Sequence, residues 1–239
     1  EIQNIFYLIS KKFILPKFRN LHESDLERKS NNDLVTSVDL AVEEQFIIEL
    51  KKLLPSSYFI GEESFEMDNS IINNYKQTNY CWTIDPIDGT KNFVKGKERF
   101  AIMVSLSFTD TILQSWIYSP LTEEMCYALN GEGAFIGNSR LKTNNISDLS
   151  KSKGSISTKY WNDDYGCLMK DLKNYFYTVS SYGCIGHEYI DIAQGKRDFA
   201  ILSKLSPWDH LPGILIAREA GAVDMYFDQG KYNFLSQKQ

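Results

Sequence analysis

Residues 82–93 read Trp82-Thr83-Ile84-Asp85-Pro86-Ile87-Asp88-Gly89-Thr90-Lys91-Asn92-Phe93, and the rest of the chain is organised around them. Trp82, Thr83 and Ile84 are strand formers. Asp85-Pro86 predicts the end of that strand, because proline donates no N–H and restricts the residue before it. Asp88-Gly89 is a tight-turn dipeptide, after which Thr90 begins a helical turn. Read one way, this is an Asp-Pro turn followed by an Asp-Gly turn. Read the other way, two carboxylates at a strand's carboxyl end, beside a glycine's backbone N–H groups, suit a divalent cation and a phosphate together.

Working outward, the segment before this strand supplies more acids. Tyr58-Phe59-Ile60 predicts a short strand, followed by Gly61-Glu62-Glu63-Ser64. Adjacent acids after a glycine are commonly a solvated loop. If the two strands are neighbours, however, Glu62 faces Asp85 and Asp88. Three carboxylates in one cleft repel one another unless a cation neutralises them. Further upstream, Thr36-x-x-Asp39 has the form of a capping box for a helix over roughly 38–54, with Val42, Phe46, Leu50 and Leu53 as its apolar stripe. Asp39 is accounted for there by the helix dipole alone. Residues 1–18 carry Ile2, Ile5, Phe6, Ile9 and Phe13 at helical spacing, and 21–32 is charged and aperiodic, with Lys29 as a candidate phosphate contact.

Downstream the periodicity changes. Strands at 100–108, 111–118, 123–129 and 134–136 are joined by Thr109-Asp110, Asn130-Gly131 and Gly137-Asn138, which reads as antiparallel hairpins. The first half is therefore α+β. An Asn-, Ser- and Lys-rich stretch at 143–153 marks the expected boundary between subdomains 1–142 and 143–239. Beyond it, strands at 154–158, 175–179, 199–202 and 223–227 alternate with helices near 163–174, 185–194 and 207–220, which reads as an α/β layer. Ser206-Pro207-Trp208-Asp209 opens the last helix, with serine at the N-cap and Asp209 in the first turn. That position explains an acid without any function. His187 and His210 have no partners at metal spacing and read as structural or surface residues.

Composition limits the classes of function. The 239 residues are 43% hydrophobic and 13% aromatic, which excludes a disordered chain, and a net charge of −5 argues against nucleic acid as the main partner. Cys81, Cys126, Cys167 and Cys184 lack zinc-type spacing and read as reduced core residues of a cytoplasmic protein. No apolar run is long enough for a membrane span.

Three acidic sites thus stand at element ends: Glu62-Glu63, Asp85/Asp88 and Asp209. With Gly89-Thr90 as an anion cradle they meet the needs of metal-assisted phosphate-ester hydrolysis, in which two cations about 3.5–4 Å apart activate water and stabilise the leaving oxygen. Oxygen-only ligands favour Mg²⁺ over zinc.

Gly61-Glu62-Glu63-Ser64, Trp82 through Thr90, and Trp208-Asp209 with Glu219-Ala220-Gly221-Ala222 resemble the signatures of the inositol monophosphatase family, and Asp33 through Asp39 resembles its upstream motif. The resemblance runs from about Asp33 to Asp224. It implies a layered α/β/α/β/α sugar-phosphatase fold, Mg²⁺-dependent and lithium-sensitive phosphomonoesterase activity, two or three Mg²⁺ per subunit, and a homodimer. It assigns Glu62, Asp85 and the Ile87 carbonyl to a first metal, and Asp85, Asp88 and Asp209 to a second. Because the carboxylates repel one another, that second site is expected to bind weakly until substrate phosphate adds its own oxygens. Glu62 and Thr90 would position the attacking water, with Asp39 hydrogen-bonded to Thr90. The Gly89 and Thr90 N–H groups would take the phosphate, Asp88 and Asp209 would lie beside the substrate, and Glu63 falls between a supporting position and solvent.

The chain also departs from that family. Residues 200–207 contain no acid where inositol-selective members carry one; Leu202 falls near that place, and Lys204 suits a more anionic substrate. Gly183-Cys184-Ile185-Gly186-His187-Glu188 differs from the usual small-residue pattern on the substrate side. A terminal strand and helix expected after Phe227 are not evident in Ser236-Gln237-Lys238-Gln239. Three readings follow: a phosphatase for an inositol, polyol or sugar phosphate; a 3′(2′),5′-bisphosphate nucleotidase or histidinol-phosphate phosphatase; and a regulatory binding protein that keeps the fold. The substrate in the enzymatic readings is a small phosphorylated molecule, with neither nucleic acid polymer nor membrane as partner.

Overall fold

The computed structural model describes residues 1–239 except 29–33, 158, 160, 162, 228–229, 231–232 and 236–239. Lys29, Asp33, Thr158 and the tail 236–239 therefore lie outside the described residues.

Seven strands form a mixed sheet: β3 (Tyr58–Gly61), β4 (Tyr80–Asp88), β5 (Ala101–Phe108), β6 (Thr111–Ser119), β7 (Glu124–Leu129), β8 (Gly133–Ile136) and β9 (Ser139–Arg140), in that spatial order. A preceding hairpin pairs β1 (Leu26–Arg28) with β2 (Leu34–Thr36). The sheet is antiparallel except for β3, which runs parallel to β4 with Gly61 opposite Ile84. Parallel neighbours end together, so the residue after β3, Glu62, is delivered beside the carboxyl end of β4.

Alternation along β4 and β5 explains the layers. Trp82, Ile84, Ile102 and Val104 face helices α1 (Ile2–Ile9) and α2 (Ser37–Leu53), packing against Phe6, Val42, Phe46 and Leu50. The opposite face presents Cys81, Ala101, Met103 and Ile117 to α6 (Ile185–Ala193) and α7 (Pro207–Glu219), through Ile190, Leu211 and Leu215. Val42, Phe46 and Leu50 are wholly buried, each contributing at most about 1.5–3 kcal/mol of transfer free energy. Beyond α6 lies an all-parallel sheet of β10 (Lys153–Ile156), β11 (Thr178–Val179) and β12 (Phe199–Ile201), in the order β11-β10-β12. Helices α3 (Glu62–Met67), α4 (Thr90–Val94) and α5 (Asp163–Leu172) complete the set of α-helices among the described residues. This is a layered α/β architecture, as the pattern predicts.

Four local expectations are corrected. The strand expected to stop at Asp85-Pro86 runs to Asp88, because a bulge takes proline out of the ladder: Asp85 lies opposite Met103 but Asp88 opposite Ala101. The first helix ends at Ile9 and widens into a π-helical turn over Ser10–Ile14. No strand forms at 223–227, where Val223, Met225 and Phe227 are exposed. Gly61-Glu62-Glu63-Ser64 is the start of α3 and not a loop, and Glu63 is buried, not solvated.

Candidate active site

The bulge decides which way the two aspartates of β4 point. Three residues on β4 span two on β5, so Asp85 and Asp88 share one face despite their odd spacing. That face is the one covered by α6 and α7. Asp209 enters it from the first turn of α7, its N–H bonded to the Ser206 carbonyl at 3.1 Å. Ser206 occupies the predicted N-cap position, but its hydroxyl makes no capping bond. Glu62 enters from α3.

Asp85 is 1% exposed, and its Oδ1 has no hydrogen-bond partner. Its pKa is raised well above the carboxylate range, first by burial and then by the charges of Glu62, Asp88, Asp209 and Asp39. An orphaned buried carboxylate oxygen, surrounded by four other acids, has the electrostatics of a cation site. The residues present fit a hard divalent ion: every nearby charged donor is an oxygen, and the assembly is unstable without a positive charge. Among the described residues no three acidic, histidine or cysteine side chains are already drawn together as a cage.

Asp88 is engaged elsewhere. Its Oδ1 accepts from the Ile185 N–H at 3.1 Å, and its Oδ2 from the Gly186 N–H at 2.6 Å and the Cys184 thiol at 2.9 Å. It therefore supplies the N-terminal cap that α6 lacks from its own sequence, since Cys184 at the cap position bonds no backbone N–H of the helix. Burial pushes its pKa up to about 7 against these donors. Oδ1, with a single donor, keeps a further lone pair for a metal, whereas Oδ2 already accepts two hydrogens.

Thr90 and Asp39 are brought together from α4 and α2. The Thr90 hydroxyl lies 3.0 Å from the Ile87 carbonyl and 3.3 Å from Asp39 Oδ1, sharing its single hydrogen between two acceptors. Asp39 also accepts, through Oδ2, the Thr36 N–H at 2.9 Å and hydroxyl at 2.5 Å, so the predicted capping box exists as well. Between β4 and α4, Gly89 has φ +87°, and an added Cβ would lie 3.1 Å from the Arg99 carbonyl, the Gly183 carbonyl and Cys184 Cβ. Any side chain there would be strained by the positive φ and crowded by these three neighbours. Asn92 Nδ2 secures the same corner, reaching the carbonyls of Arg99 at 2.8 Å and Tyr182 at 2.9 Å.

The histidines are structural. His210 is buried, and its Nε2 lies 2.7 Å from the Lys204 carbonyl, which can only accept, so Nε2 carries the hydrogen and Nδ1 accepts from the Tyr189 hydroxyl at 2.9 Å. Burial drops its pKa to about 4. His187 pairs with the Ser119 hydroxyl at 3.0 Å. Of the cysteines, Cys81, Cys126 and Cys184 are buried; Cys167 is exposed, contrary to a uniform core reading. Two residues at the site's edge escape sequence reasoning. Cys184 lies in the stretch read as substrate-side, but nothing in the sequence shows its thiol on Asp88, and Glu43 sits inside the apolar stripe of α2, one turn after Asp39.

Comparison with known proteins gives the family and the fold. The sequence profile of the inositol monophosphatase family matches residues 5–238. The inositol monophosphatase of Dictyostelium discoideum is 31% identical over 225 residues, covering 92% of this chain and 81% of that protein. The Nus factor SuhB of Vibrio cholerae is 30% identical over 221 residues, covering 91% and 80%. Among solved structures, the Thermotoga maritima IMPase superposes with a TM-score of 0.84 at 23% identity, covering 98% of this chain and 87% of that one. An IMPase/NADP phosphatase complexed with Mg²⁺ and phosphate has the same TM-score at 25% identity, covering 98% and 85%. The chain belongs to the inositol monophosphatase family and is a phosphoric monoester hydrolase.

Proposed function

We propose that the chain hydrolyses a small phosphate monoester, an inositol, polyol or sugar phosphate, with Mg²⁺. The observation that carries this is Asp85: a buried carboxylate with an orphaned oxygen amid the charges of Glu62, Asp88, Asp209 and Asp39. In this reading Glu62, Asp85 and the Ile87 carbonyl hold one ion, and Asp85, Asp88 and Asp209 hold another. Bound Mg²⁺ supplies Lewis acidity and a nucleophilic water at neutral pH, so no histidine base is required. Thr90 donates its hydrogen toward Ile87 and Asp39, which leaves its lone pairs to orient that water together with Glu62. The Gly89 and Thr90 amides bind the phosphate, beside Asp88 and Asp209. The same reading includes two or three Mg²⁺ per subunit, lithium sensitivity and a homodimer. We place the enzyme in the cytoplasm; among the described residues no helix is long and apolar enough to cross a membrane. Residues 1–142 and 143–239 serve as subdomains, one carrying most metal ligands and the other Asp209.

The test is phosphate release across a panel of phosphomonoesters at millimolar Mg²⁺, with and without Li⁺. Release from polyol or sugar phosphates is expected. Preference for a bisphosphate nucleotide, or for histidinol phosphate, replaces this reading with that one; an IMPase/NADP phosphatase among the structural neighbours keeps the nucleotide in the panel. No release at all would leave a regulatory role on the same fold, a reading supported by the Nus factor relative.

A further inference from the structure

Helix α2 carries a second buried acid that the proposed chemistry leaves unused. Glu43 is 2% exposed and stands four residues after Asp39, on the same helical face. Its Oε2 accepts from the Glu63 N–H at 2.8 Å, and its Oε1 from the Ser64 N–H at 2.8 Å and from the Ser64 hydroxyl. These amides are the opening donors of α3, whose cap residue, Gly61, has no side chain to receive them. Gly61 also makes the approach feasible: a Cβ there would lie 2.1 Å from the Glu43 carboxyl carbon. The strand end, the glycine and the buried carboxylate together fix where Glu62 starts.

We infer that Glu43 is a positioning residue for metal binding, holding Glu62 through the start of α3. This rests on the proposed metal role of Glu62. One turn of α2 then sets both groups assigned to the attacking water. Asp39 holds Thr90 at one end, and at the other Glu43 holds the Glu63 and Ser64 amides that follow Glu62. Side chains four residues apart on a helix are about 5–6 Å apart at Cβ, so α2 acts as the gauge between the two. In this reading Glu43 acts through the amides of α3 and is not itself a ligand of the ion. A packing role would equally bury it, but would require neither three donors on one carboxylate nor a glycine opposite.

Mn²⁺ binding, followed by the electron paramagnetic resonance signal of the free ion, tests this on the full chain. Folding is checked by circular dichroism, and kcat and KM are measured in parallel. Positioning groups behind ligands typically cost 10–100-fold in metal affinity. Glu43→Ala is therefore expected to weaken Mn²⁺ at least tenfold and to lower kcat more than it raises KM. Glu43→Gln keeps the shape and one acceptor but turns an amide donor toward a backbone N–H, and it should lose part of that affinity. Gly61→Ala should displace the carboxylate and weaken Mn²⁺ similarly, yet add little in the Glu43→Ala background. Folded Glu43→Ala or Glu43→Gln protein with native Mn²⁺ affinity overturns the inference while leaving the metal reading intact. Native protein that binds no Mn²⁺ overturns the metal reading itself, and this inference with it.

Discussion

Asp39 and Thr90, 51 positions apart in sequence, share a hydrogen bond of 3.3 Å through Asp39 Oδ1, while Asp39 Oδ2 closes the capping box of α2 with Thr36. The two oxygens separate stability from activity. Thr36→Ala removes the cap hydroxyl, which accepts from the Val38 N–H at 3.2 Å, and is expected to destabilise by about 1 kcal/mol in urea denaturation. Its specific activity should stay within a few-fold of native. Asp39→Ala should show a similar or larger loss of stability together with a large fall in kcat. Equal effects of the two variants on kcat would refute the separation.

Asp85→Asn is expected to abolish phosphate release and, in metal-free solution, to raise Tm. The carboxyl it replaces is costly to ionise, through burial and four neighbouring acids, and its Oδ1 has no partner among the described residues. The gain expected is on the order of 1 kcal/mol. A variant that is inactive but less stable than native in EDTA would mean that Asp85 is already neutralised within the fold.

The acid cluster also dictates a pH dependence. A carboxylate whose folded pKa is raised stabilises the fold below its unfolded pKa and loses that contribution as pH rises through the folded value. Asp88 moves from 3.8 to about 7, and Asp85 moves in the same direction. Metal-free stability from these groups therefore falls between about pH 4 and 7. His210, lowered to about 4, and His187, also lowered, act oppositely, gaining stability as pH rises. The difference in Tm with and without Mg²⁺ isolates the carboxylates, and it should widen from pH 5 to 7.5. A constant difference would contradict cation binding at these acids.

Thiol chemistry offers a check on the fold. Cys81, Cys126 and Cys184 are buried, with pKa values raised by burial, while Cys167 on α5 is exposed. Ellman's reagent should titrate one thiol in the native protein and four after denaturation. Rapid reaction of a second thiol in the folded state would place Cys184 in solvent and break its contact with Asp88.

Much of this was legible from periodicity. The amphipathic α2 and the hairpins of the first half are local patterns formed close to the predicted limits. In the second half the helices and the strands near 154 and 199 form, but the strand expected at 175–179 is only Thr178–Val179. The proline at 86 misled because a single sequence cannot tell a strand end from a bulge, and only pairing with β5 reveals the extra residue. Residues 223–227 have strand composition but no paired neighbour among the described residues. Glu43 was hidden for a different reason: its partners are backbone amides of another element, and those leave no trace in residue types. The acids at 62, 85, 88 and 209 were visible as chemistry, but their common face depends on the parallel pairing of β3 and on the bulge.

The grip of Asp88 on the first amides of α6 makes those amides a reporter. Ile185 and Gly186 donate to a carboxylate that belongs to the opposite half of the chain and lies at the centre of the acid cluster. Any ion or phosphate that draws on Asp88 changes the electron density its oxygens return to these two N–H groups. Their amide chemical shifts and hydrogen-exchange rates should track occupancy without a substrate or an assay. A ligand screen by two-dimensional NMR can thus be read at two peaks, before the natural substrate is known.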